Sequence, residues 1–303
     1  MPKELTHILI AQDVLTRVKE SGQKLLTQVL EKNMRAFCLG AILPDAFAYD
    51  IAPFRKIPKE DYVKISQALH SRKTGKNDET ALGLFDAIKA SPYRWPLKLA
   101  FAAGVVTHTV SDRIIHGVID YYTTRWNQKG TPAVATHRQF ETLIDMALLR
   151  ELDLHPRCFQ LESMVSVDRP TEDFLFLFYL THLMEDTCPL PSCLLDALRR
   201  AHRQQGLFMK LFTMRALYHI VNLSDRLVGG RMEAWSSLFY PEMVRIESFP
   251  IMDRLDLSAL TDGGAFSGTV QALVEGVASD ALEYVNVGVR QFTEVNSDSK
   301  CTT

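Results

Sequence analysis

The chain has 303 residues, with 34 Lys and Arg against 36 Asp and Glu and a formal net charge of -2. That balance argues against a sequence-independent nucleic-acid binder, which needs a large cationic surplus to displace counterions from phosphates. At 47% hydrophobic and 23% charged residues, the composition also excludes extended disorder.

The N-terminus reads MPKELTHILIAQDVL, with no apolar h-region behind its charges, so no secretory signal is expected. Helical periodicity then runs from His7 to Leu30, through Ile8, Leu9, Ala11, Val14, Leu15 and Val18. A loop is predicted around Gly40, Pro44, Pro53 and Pro58. Short helices follow at Asp61–Ser71 and Glu79–Lys89, and a long one from Pro96 to about Thr124. After the NQKGTP linker come helices near Val134–Leu152, Glu172–Asp186, Ser192–Gln204, Leu207–Leu227 and Ser267–Thr293. Only Phe159–Val167 earns a strand vote. No run of 18 apolar residues occurs, which predicts no spanning helix. Five cysteines, odd in number and sparse, read as reduced thiols, so a soluble cytoplasmic protein is expected. The fold class is all-α, a multi-helix bundle with a helical core over 1–150 and a C-terminal helical extension over 151–303.

The segment from Thr107 to Gly117 carries the chemistry. His108, Asp112 and His116 follow at i, i+4 and i+8, so they line one face of the long helix. Two imidazoles flanking a carboxylate suit a multinuclear site, because a carboxylate bridges two cations. The next helix offers His137 and Glu141, again four apart, and this nitrogen and oxygen set is one zinc accepts. His7, Asp45 and His70 join as further candidates. Without metal, the same residues would make a buried polar network that is costly in unpaired charge.

With those eight in order, the sequence resembles the zinc-dependent phospholipase C family, whose fold is shared with the S1/P1 nucleases. The matching pieces are T-H-x-x-I-A at Thr6–Ala11, L-G-A-I-L-P-D at Leu39–Asp45, and His70. They continue with G-V-V-T-H-T-V-S-D-R-I-I-H at Gly104–His116 and H-R-Q-F-E at His137–Glu141. The resemblance implies that Asp45, His70, His108 and Asp112 hold one zinc, with Asp112 bridging to another that uses His7. His116, His137 and Glu141 would hold a further zinc. Two Zn2+ are expected and a third is left open, because the amino-terminal ligand of secreted members has no counterpart in Met1-Pro2. The position after the loop aspartate, aromatic in choline-phospholipid cleavers, is Ala46.

The implied activity is phosphodiester hydrolysis, with a metal-bound hydroxide attacking phosphorus in line and Asp45 as base or water-orienting group. The expected partner is a small phosphodiester or a phospholipid head group. The alternatives are an S1/P1-like nuclease or nucleotide phosphodiesterase, with nucleic acid the less favoured substrate, and a non-catalytic metal-binding scaffold. Oligomeric state is not readable. Thr181–Asp186 echoes Thr107–Asp112 but lacks a third ligand, and Cys188-x4-Cys193 lacks a second pair. His155, His202 and His219 have no partner at ligand spacing, and Arg199-Arg200-Ala-His202-Arg203 reads as a solvated helix face.

Overall fold

The computed structural model describes residues 3–50, 76–126, 132–156, 161–184, 192–242, 255–256 and 267–298. Helices dominate them: α1 (Glu4–Glu20), α2 (Lys24–Lys32), α3 (Met34–Ile42), α4 (Lys76–Ala90), α5 (Trp95–Trp126) and α6 (Ala133–Glu151). Then come α7 (Leu161–Val165), α8 (Arg169–Leu183), α9 (Ser192–Phe212), α10 (Arg215–Leu227), α11 (Glu233–Ser236) and α12 (Val270–Asp298). The strands are β1 (Leu255–Asp256) and β2 (Ser267–Gly268), paired antiparallel over two residues. The all-α expectation holds, and no described helix is long and apolar enough to cross a membrane.

Several boundaries differ from expectation for identifiable reasons. The helix expected over His7–Leu30 breaks at Gly22, whose φ of +72 only glycine adopts freely. The loop expected around Gly40 is instead helix α3, followed by a 3-10 turn over Leu43–Tyr49 with Pro44 in its first turn. The strand vote at Phe159–Val167 fails, because Leu161–Val165 is a short helix. Gly206 does not separate two helices: α9 continues to Phe212, and the break falls at Met214. The helix expected over Asp61–Ser71 lies outside the described residues.

The chain groups into two compact units, and the division falls within helices. The larger comprises 7–111, 162–205 and 277–303. Here α3 and α5 pack so closely that a Cβ on Gly104 would lie 2.1 Å from the Phe37 carbonyl oxygen. One on Gly40 would lie 2.1 Å from the Phe101 carbonyl oxygen, so both positions require hydrogen in place of a side chain. Asp168 caps α8, accepting from the Thr171 amide at 3.0 Å and its hydroxyl at 2.9 Å. The basic cluster of α9 is a clamp, not a solvated face. Arg200 forks onto both oxygens of the fully buried Asp50 at 3.0 Å each, and Arg199 pairs with Asp173 and Asp196.

The smaller unit comprises 1–6, 112–161 and 206–276. Its interior holds a polar knot in which the Thr6 amide donates to the Asp145 carboxylate at 3.2 Å, and the Thr6 and Tyr240 hydroxyls also donate to it. Burial pushes the Asp145 carboxyl up to about 6, against those hydrogen bonds and the charge of Lys3. Burial also pulls the Lys3 ammonium down to about 7, opposed by Asp145 and Glu4. Lys3 is not left bare: it donates to the Leu238 carbonyl and sits 4.3 Å from the centroid of the Tyr240 ring.

Candidate metal centre

His7, Asp45, His108, Asp112, His116, His137 and Glu141 lie among the described residues, and His70 lies outside them. In the larger unit, α1 supplies His7, the 3-10 turn supplies Asp45, and α5 supplies His108. None is more than 2% exposed. The two imidazoles stack with centroids 4.3 Å apart at 26°. His108 Nδ1 lies 2.9 Å from the Ala41 carbonyl, which only accepts, so this nitrogen carries the proton. His7 Nδ1 meets the Ser111 hydroxyl at 2.8 Å, and that hydroxyl already donates to the His108 carbonyl at 2.9 Å. His7 Nδ1 therefore also donates.

Both Nε2 atoms are then left as lone pairs in the neutral rings. They converge on Asp45, His7 at 3.7 Å from Oδ2 and His108 at 3.6 Å from Oδ1. Those separations exceed hydrogen-bond reach. They are close to the roughly 3.3 Å between two ligands on one tetrahedral zinc with bonds of about 2.0–2.1 Å. Two imidazole nitrogens and a carboxylate facing one buried space are a donor set that a divalent metal ion takes. Nearby, burial and the Asp45 charge push the Tyr179 hydroxyl above its ordinary range, so it stays protonated.

In the smaller unit, α5 and α6 bring a second group together. His116 Nε2 lies 3.0 Å from Asp112 Oδ1, and His137 Nε2 lies 3.0 Å from Glu141 Oε1. The His116 and His137 rings stack at 5.2 Å. Asp120 adds a third carboxylate, 3.3 Å from His137 Nδ1, and ligand atoms of His116, Asp120 and His137 all lie within 4.8 Å of one another. Three carboxylates around two imidazoles leave an excess of negative charge that a divalent cation would balance.

A family model described as zinc dependent phospholipase C matches residues 6–188. The chain belongs to this family. No curated protein and no solved structure gives a significant match.

The zinc-dependent phospholipase C match spans all eight predicted ligands. Ala46 is fully buried, so this position offers no aromatic face to a quaternary ammonium head group. Sequence reasoning missed Asp120, although it continues the four-residue ladder of His108, Asp112 and His116 by one more turn. It also missed Ser111 and the Ala41 carbonyl, which fix the imidazoles and carry no spacing signal. In the Thr181–Asp186 echo, His182 Nε2 is 2.7 Å from the Thr80 carbonyl, a link between α8 and α4, and Asp186 lies outside the described residues. His202 lies 3.3 Å from Gln205, and His219 lies 3.4 Å from Glu242.

Proposed function

We propose that the chain is a zinc-dependent phosphodiester hydrolase of the phospholipase C type, acting on a phospholipid head group or a smaller phosphodiester. The single observation that carries this reading is the convergence of two proton-fixed imidazoles on the buried Asp45. His7, Asp45 and His108 would hold one zinc, and His116, His137 and Glu141 a second. Asp112, one helical turn from both His108 and His116 along α5, is the carboxylate available to bridge. His70 joins on the strength of the resemblance alone. Bound zinc would supply an acidified water and charge neutralisation at the phosphoryl oxygens.

The chain's own groups do the rest. Ser111 and the Ala41 carbonyl hold the imidazoles in one tautomer, so their Nε2 lone pairs need no reorganisation. Asp45 orients the attacking water and accepts its proton. Asp120 accepts from His137 Nδ1 and so aims that ring's Nε2. Asp120 is a positioning residue, and Asp120→Asn is expected to weaken zinc binding 10- to 100-fold without changing the far-UV circular dichroism. Competition with a chromophoric chelator measures this, and an unchanged affinity would remove Asp120 from the centre.

The test of the reading is metal content with turnover. Protein purified without chelator should carry about two zinc ions per chain and hydrolyse a chromogenic phosphodiester. Dialysis against chelator should abolish hydrolysis, and added zinc should restore it. Folded wild-type protein that holds no zinc, or zinc-loaded protein that cleaves no phosphodiester, would defeat the proposal.

A further inference from the structure

Helix α10 is built inside out. Its single buried side chain is an aspartate, Asp225, while Ile220, Leu223 and Leu227 are 58%, 60% and 78% exposed. The inversion is held from within. Asp225 accepts from the Met232 amide at 2.7 Å and from the Ser236 hydroxyl at 3.2 Å, tying α10 to α11 by polar contacts. With this carboxylate inside, the 3.6-residue repeat places Ala216, Ile220, Leu223 and Leu227 together on the outer face. Val228 extends that apolar surface to the turn at Gly229 and Gly230, both at positive φ.

The charge along this stripe has one sign. Arg215, His219 and Arg226 fall on one flank of it, and Arg231 follows in the turn; all four are exposed. The outer face of α10 carries no acid, because the helix's one carboxylate is Asp225. Glu242 pairs with Arg215 at 2.5 Å and lies 3.4 Å from His219, which leaves Arg226 and Arg231 as the positive edge among the described residues. An exposed aliphatic stripe with arginines beside it is the pattern of a helix lying in the plane of a lipid interface, apolar face down and cations at the head groups.

A second copy of the chain is the competing occupant. A stable protein interface needs roughly 800 Å² per partner, whereas a bilayer has no such threshold, since each inserted side chain contributes separately.

We infer that α10 is an interfacial helix that seats the Ile220, Leu223 and Leu227 stripe in the surface of an anionic phospholipid bilayer. This surface lies beyond the family-matched segment and goes beyond the catalytic proposal. Binding to vesicles reads no turnover, so either proposal fails without the other.

The experiment is cosedimentation of the full chain with vesicles of phosphatidylcholine alone, or with about one-third phosphatidylserine. Wild type should partition at least tenfold more strongly to the anionic vesicles. Leu223→Asp with Leu227→Asp should lower that partition at least tenfold, and Arg226→Gln about fivefold with a weaker salt dependence. Because these side chains face solvent, circular dichroism and thermal midpoint should stay within error of wild type, so lost binding is not lost folding. Equal partition of wild type and the double variant, or no binding of wild type to either vesicle, overturns the inference. So does a wild-type dimer in analytical ultracentrifugation that the double variant abolishes, which would assign the face to a second copy.

Discussion

Asp45→Asn is expected to cost about one zinc ion per chain and to lower phosphodiester turnover on the order of a thousandfold. The substitution is nearly isosteric, at a site 2% exposed, so shape is preserved and charge alone is removed. With the carboxylate gone, His7 Nε2 and His108 Nε2 still converge, but the anion that offsets a divalent cation among them is lost. The carboxamide also cannot take a proton from attacking water. A merely structural role predicts a different outcome: losing a buried acid that helps fold the chain would lower stability of the metal-free protein. On the present reading the stability that added zinc confers on wild type should be lost in the variant. Elemental analysis, steady-state kinetics and thermal melts with and without chelator check the three parts. Full zinc content with wild-type turnover would exclude Asp45 from the centre.

The all-α class and the candidate ligands on α5 and α6 were legible because they rest on period. Four-residue spacing on α5 and α6 puts His108, Asp112, His116, His137 and Glu141 on helix faces whatever packs around them. The parts that were not legible depend on what period does not encode. The α3 segment reads as a loop because Gly40 and Pro44 are breakers by propensity, yet Gly40 is there to admit the backbone of α5 at van der Waals contact. Tertiary packing overrides propensity at that point. The α10 stripe shows perfect helical spacing, but period does not say which face meets water. Only the buried Asp225 and its two hydrogen bonds reveal that the polar side is the inner one.

The glycine crossing yields the second large effect, expected in opposite directions at two positions of one helix. At Gly104, a methyl group would sit 2.1 Å from the Phe37 carbonyl oxygen and 2.8 Å from the Ala41 amide nitrogen. Both are backbone atoms, so no side chain can swing away and α3 must be driven off α5. Gly104→Ala is therefore expected to destabilise by about 3–5 kcal/mol, a fall in thermal midpoint of roughly 10 °C. Zinc affinity should fall with it, because the Ala41 carbonyl that fixes His108 rides on α3. Gly117 lies on the same helix with nothing within 4 Å of the position its Cβ would take. Gly117→Ala adds helix propensity at no steric cost and should stabilise by up to about 1 kcal/mol. Chemical denaturation of the two variants beside wild type measures the pair. Gly104→Ala within 1 kcal/mol of wild type would mean that the α3–α5 crossing does not hold His108 in place.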